Sequence, residues 1–161
     1  VSRSTDRVRA QWAAARPDLD TSPMEVIGPL KRVIALLGEA LDPLYVDAAL
    51  TGAELDVCLR LRHDTTPTIA RHLADQMLHS RAAISKTLTR LEKRGLIARE
   101  PSPSDRRAAL VRLTPAGEAA VDAIFPRQLA REVELLEGLG EDRDRVIDAL
   151  NLLAEVLGKR V

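Results

Sequence analysis

Aromatic side chains are nearly missing from this chain: Trp12, Tyr45 and Phe125 are the only three in 161 residues. Proteins that hold single-stranded nucleic acid stack bases on aromatic platforms, so that class loses support. Cysteine is equally scarce. Cys58 stands alone, which excludes an internal disulfide and fits a reducing compartment. No apolar run approaches the ~20 residues needed to span a bilayer. The first residues, VSRSTDRVRAQW, lack the apolar core of a signal peptide. A cytoplasmic protein with no membrane role is expected. His63, His72 and His79 show no spacing with Cys or carboxylates that would hold a metal. Glycine-rich phosphate loops, nucleophile elbows and catalytic triads are missing as well. The expectation is a protein with no cofactor, no metal and no catalytic residues, and therefore not an enzyme. Net charge is zero, with 24 basic and 24 acidic side chains.

The charge that is present is unevenly placed. Residues 79–113 hold nine Lys/Arg against three acidic side chains, a local +6. Residues 1–78 carry −2 and residues 114–161 carry −4. A concentrated positive field on a short segment attracts a phosphate backbone whatever the total charge. With 45% hydrophobic residues the chain buries a real core, and one domain over 1–161 is the default. Abundant Leu and Ala with few aromatics favour helix packing.

Periodicity places the elements. Val8 and Trp12 share a face of a helix over 5–15, which Pro17 ends. Ser22 before Pro23 is a candidate cap for a helix over 24–41, whose apolar residues Val26, Ile27, Leu30, Val33, Ile34, Leu37 and Leu41 follow three-four spacing. Thr51 and Glu54 form a capping-box pattern that opens a helix through about residue 62. Ile69, Leu73 and Met77 are in phase for a short helix over 68–77. A further helix starts at Ser80 and stops at Gly95, with Ile84, Leu88 and Leu91 on its inner face. Two helices joined by a short turn, the second basic outside, are a helix-turn-helix. Residues 96–99 and 110–113 alternate like half-buried strands around the turn-rich link PSPSDRR, which makes a wing. Thr114 and Pro115 open a long helix to about residue 136, with a bend expected at Pro126. A last helix over 142–157 presents Val146, Ile147, Leu150, Leu153 and Leu157 as a stripe.

These elements suggest chemistry. His79, Ser80, Arg81, Ala82, Ser85, Lys86, Thr87 and Arg90 lie on or next to a helix that would enter the major groove of double-stranded DNA. Arg81 suits guanine, and the serines suit bases or phosphate. The bland alternative is a solvated basic face. In the wing, an arginine at the tip would enter the minor groove, steadied by Asp105, with Arg106 and Arg107 as the cations. Here the alternative is an ordinary charged hairpin tip. The terminal stripes exceed what one small core needs, so a second copy of the chain is expected to cover them, unless they fold back on their own chain. A twofold dimer requires a pseudo-palindromic operator.

The segment order, with RLEKRGLI (90–97), SDRRAALVRLTPAG (104–117) and LTGAELDVCLRL (50–61), resembles the MarR family of bacterial transcription regulators across nearly the whole chain. The resemblance implies a mainly α fold: a winged helix-turn-helix over 50–113 between N-terminal helices (1–49) and C-terminal dimerisation helices (114–161). It also implies that Asp105 and Arg107 act as the family's Asp-x-Arg wing pair. The stretch QW…RPDLDTSPMEVIG (11–28) resembles a subgroup with an extra first helix that includes urate-responsive regulators. In that subgroup a first-helix Trp, an Asp and Arg seven apart, and an Arg of the recognition helix respond together. Trp12 and Asp56 match, but His63, preceded by Arg62, and Thr87, beside Lys86, stand at the arginine positions. Without those cations an anionic purine is disfavoured, and another small aromatic or phenolic effector is expected. The family implies a repressor released by its ligand.

Three competing readings remain open on sequence. One is a helical small-molecule-binding or enzymatic domain using Asp56, His63 and Cys58. Asp56 and His63 are two helical turns apart, too far for a direct hydrogen bond. Another is a redox sensor without operator specificity, although Leu55, Val57, Leu59 and Leu61 around Cys58 favour a buried structural thiol. A third is a scaffold whose basic helix binds an acidic protein.

Overall fold

Side-chain caps start three of the helices. Thr51 accepts the Glu54 N–H while the Glu54 carboxylate accepts the Thr51 N–H, a complete capping box. Ser80 Oγ accepts from Ala83 N–H, and Thr114 Oγ1 from Gly117 N–H. The computed structural model describes residues 3–64, 68–102 and 109–160, with side chains from residue 6 onward. In chain order it contains α1 (Arg3–Ala15), α2 (Met24–Leu41), a 3-10 turn (Asp42–Tyr45), α3 (Gly52–Arg62), β1 (Thr68–Ile69), α4 (Ala70–Gln76), α5 (Arg81–Lys93), β2 (Ile97–Pro101), β3 (Ala109–Leu113), α6 (Pro115–Leu136), a second 3-10 turn (Glu137–Asp142) and α7 (Arg143–Gly158).

Four local expectations need correction. Ser22 does not cap α2. Pro23, already helical at φ −59°, occupies the cap position without a side-chain bond, and the Ser22 N–H donates to Asp20 Oδ1 instead. The helix expected over 68–77 begins only at Ala70. Thr68 and Ile69, both β-branched, are extended and pair antiparallel with Val111 and Leu110. The wing therefore belongs to a three-stranded sheet of order β1-β3-β2, not to a lone hairpin. β2 begins one residue later than expected, because Leu96 completes the turn that Gly95 makes at φ +69°. α6 runs through Pro126 as one helix.

The core is built from the middle of the chain. Leu50, Leu55, Val57, Cys58, Leu73, Ile84, Leu88, Leu91, Val111 and Val121 are almost wholly shielded. α1 and α7 contribute no buried residue among those described. Their apolar side chains face outward instead, as do many on α2 and on the distal half of α6: Val33, Ile34 and Leu37, then Leu129, Val133 and Leu136, then Ile147, Leu150 and Val156.

The end of α4 is unusual. His79 N–H donates to Ala74 O and Leu78 N–H to Asp75 O, the paired bonds of a Schellman motif. Its left-handed position is held by Leu78, at φ +52°, where glycine is usual. A leucine in that conformation costs about 1–2 kcal/mol.

Candidate nucleic-acid interface

α5 buries Ile84, Leu88 and Leu91 and exposes Arg81, Ala82, Ala83, Ser85, Lys86 and Arg90, while Thr87 is half-buried. His79 and Ser80 lie exposed immediately before it. The small side chains at 82 and 83 leave the helix's N-terminal half open to close approach. Asp105, Arg106 and Arg107 lie outside the described residues.

Ion pairing divides the cations of this region. Arg99 lies 3.1 Å from Glu92 and also donates to Thr89 Oγ1, and Arg112 pairs with Glu100 on the neighbouring strand at 2.8 Å. Arg94 donates to Glu54 Oε2 at 3.0 Å and to the Ala49 carbonyl oxygen. Arg90 approaches the same carboxylate at 3.7 Å. Arg81, Lys86 and Lys93 have no acidic partner among the described residues. The uncompensated charge therefore concentrates on α5, with two of its three members in the N-terminal half, where base edges are within reach.

Glu54 holds α3 to α5. Its side chain is only 4% exposed. Burial pushes its carboxyl up, but the Thr51 N–H and the Arg94 guanidinium outweigh this and hold it below the ordinary glutamate value. The sequence identified Glu54 only as a capping residue. Its partnership with Arg94, forty positions later, has no local signal.

The effector candidates are partly dispersed. Trp12 is about half exposed on α1, which packs on α2. Arg62 is engaged: its Nε and Nη2 form a two-pronged pair with Asp122 of α6, at 3.0 and 2.9 Å. His63 is the exposed C-cap of α3. Sequence reasoning missed a polar group that joins the first 3-10 turn to α6. Tyr45 donates its hydroxyl proton to Gln128 Oε1, and Gln128 donates to Glu132 at 2.6 Å. Burial raises the Asp56 carboxyl above its ordinary range, opposed by His79 and Arg60 and reinforced by Glu132. Gln128 and Glu132, four apart on one helix face, were a readable signal. Cys58 is fully buried and its thiol is pushed up to about 12, first by burial and then by Glu54. That suppresses the thiolate an oxidant sensor needs. No group of three His, Cys, Asp or Glu able to hold a metal occurs among the described residues, nor does a helix long and apolar enough to cross a membrane.

Comparison with known proteins agrees with this geometry. The family model for the MarR family matches residues 50–108. The HTH-type transcriptional regulator PecS of Dickeya dadantii (strain 3937) is 31% identical over 142 residues, covering 87% of this chain and 86% of that protein. Among solved structures, the transcriptional repressor CouR bound to a 23-mer DNA duplex superimposes with a TM-score of 0.68. It is 30% identical, and the match covers 81% of this chain and 93% of CouR. BpsR of Bordetella bronchiseptica, whose DNA binding is regulated by 6-hydroxynicotinic acid, gives a TM-score of 0.72 at 25% identity, with 80% and 92% covered. With its helix-turn-helix, three-stranded wing sheet and flanking long helices, and with its matches to PecS, CouR and BpsR over four-fifths or more of its length, the chain belongs to the MarR family of winged helix-turn-helix transcriptional regulators.

Proposed function

We propose that this regulator is a cytoplasmic homodimer that holds a pseudo-palindromic operator in double-stranded DNA and, as a repressor, releases it when a small aromatic or phenolic molecule binds. The observation that carries the reading is the α5 surface: among the described residues Arg81 and Lys86 lack acidic partners, and they stand beside small and hydroxylated side chains. His79, Ser80, Arg81, Ala82, Ser85, Lys86 and Thr87 face the major groove, and Arg90 supplies a phosphate contact on leaving Glu54. In the wing, Asp105 orients Arg107 for the minor groove, with Arg106 against phosphate. Residues 50–113 form the DNA-binding lobe, while 1–49 and 114–161 carry dimerisation. The open apolar faces of α2, α6 and α7 support the dimer, since exposed stripes of this length mark an interaction surface.

Selection of duplexes from a randomised pool by the purified protein tests this reading. A pseudo-palindrome is expected, bound with a steep negative salt dependence. No duplex retained at low salt would overturn it. Against the selected duplex, Arg81→Ala is expected to cost about 1–3 kcal/mol and to relax preference at one position per half-site. Equal losses on selected and random DNA would make Arg81 a phosphate contact only.

The charge around Asp56 and Arg62 supports the effector class. Arg62 is occupied by Asp122, and Asp56 feels the Glu132 carboxylate, so an anion at Asp56 finds little free positive charge, whereas a neutral phenol donates its proton to Asp56. The BpsR effector, 6-hydroxynicotinic acid, is likewise aromatic but carries a carboxylate, so it supports the ring and not the neutral charge. Fluorescence titration of the protein–duplex complex is expected to show release by members of a phenolic panel and weak release by urate. The coupling should be of the order of 1–3 kcal/mol. Release by low micromolar urate with no response to the panel would reverse the assignment.

A further inference from the structure

Leu78 combines three properties that rarely coincide. It occupies the left-handed position of the Schellman motif that ends α4, at φ +52°, which glycine fills without strain. It is 84% exposed, the most exposed large apolar side chain among the described residues, so no packing within the chain offsets that strain. It also stands two residues before the Ser80 cap of α5. The residues that follow it, His79, Ser80 and Arg81, are polar or basic, and all three are exposed. A strained, solvent-facing leucine among polar neighbours points to a contact made outside the isolated chain.

We infer that Leu78 is a specificity-determining residue, whose isobutyl group packs on thymine C5-methyl groups at the edge of the major groove. The inference rests on the regulator reading, because it needs the N-terminal end of α5 at the base edges. Thymine is the one base that presents a methyl group in that groove, and an apolar side chain reads it without a hydrogen bond. The adjoining residues set the geometry. Arg81 reaches hydrogen-bonding edges, while the turn before it, fixed by the bonds from His79 N–H to Ala74 O and from Leu78 N–H to Asp75 O, holds the leucine outward. Glycine at 78 would relieve the backbone and remove the reader, so fold and recognition respond in opposite directions.

The test uses the duplex selected by the wild-type protein, made once with thymine and once with deoxyuridine, which lacks only the methyl group. Leu78→Gly and Leu78→Asn both tolerate the left-handed backbone, and both are expected to retain or raise the thermal midpoint. On the thymine duplex each variant should bind about fourfold more weakly per half-site, the loss equivalent to one buried methyl group. On the deoxyuridine duplex wild type should weaken similarly, and the variants should show little additional loss. If the variants bind the thymine duplex as wild type does, or lose equally on both duplexes, Leu78 does not read the methyl group. A wild-type protein that retains no duplex overturns the regulator reading and this inference together. One that binds tightly but ignores the deoxyuridine substitution overturns this inference alone.

Discussion

Gly117→Ala is expected to destabilise the protein by about 3 kcal/mol, a large share of the ~5–15 kcal/mol that holds a typical domain folded. Gly117 lies in the first turn of α6, where alanine would ordinarily favour the helix by about 1 kcal/mol. The surroundings reverse that sign. A Cβ at 117 would overlap the Leu96 carbonyl oxygen and lie 3.0 Å from Leu113 Cδ2. That carbonyl is held in place by the Thr114 N–H at 3.1 Å, while the Thr114 hydroxyl donates to Gly95 O at 2.7 Å. Backbone meets backbone where the recognition helix turns into the wing and the wing turns into α6. Accommodating a methyl group requires α6 to move off the lobe. Urea unfolding measures the effect, with Gly138→Ala as control, since a Cβ there meets nothing within 4 Å. Equal stability of Gly117→Ala and wild type would show that the seam is looser than described.

Glu54→Ala is expected to cost about 2–4 kcal/mol, because it removes the capping-box acceptor and the buried partner of Arg94 together. Arg94 is itself 42% exposed and regains water, which keeps the loss below that of a fully buried pair. The effect depends on pH. The Glu54 carboxyl titrates below its ordinary 4.5 in the folded chain, so its stabilisation is complete above that value and lost as pH falls through the depressed one. Glu54→Gln should flatten the acid limb of a stability–pH curve. Asp56 works in the opposite sense. Burial raises its carboxyl above the ordinary 3.8, so whatever it contributes is present below that value and declines as pH climbs through the raised one. An acid limb of unchanged slope in Glu54→Gln would show that the carboxylate does not anchor the two helices.

Much of this was legible in the chain. The apolar phases of α2, α5 and α7, the Thr51–Glu54 box and the Thr114–Pro115 start are local patterns, and each element formed where its pattern lay. Of two misreadings, one arose from a distant partner and the other from an immediate neighbour. Thr68 and Ile69 carry helix-compatible spacing, but the open edge of β3 claims them as a strand. Ser22 has a capping side chain, but Pro23 had already entered the helical conformation. For the candidate site, the exposure of Arg81 and Lys86 followed from helix phase. The engagement of Arg62 by Asp122 and of Arg94 by Glu54 depended on contacts sixty and forty residues away. Tyr45 escaped notice for the same reason, since its partner Gln128 is 83 positions distant.

The separation of the exposed face of α5 from the outward apolar faces of α2, α6 and α7 has a genetic consequence. Arg81 is exposed on α5 and takes no part in the buried core, so on the proposed homodimer its loss leaves the lobe folded and the outward faces of α2, α6 and α7 free to associate. A copy impaired at the operator would then pair with intact copies and yield mixed assemblies with one blind half. Such an allele should be dominant over wild type, whereas one that unseats the lobe, such as Gly117→Ala, should be recessive because its product never reaches assembly.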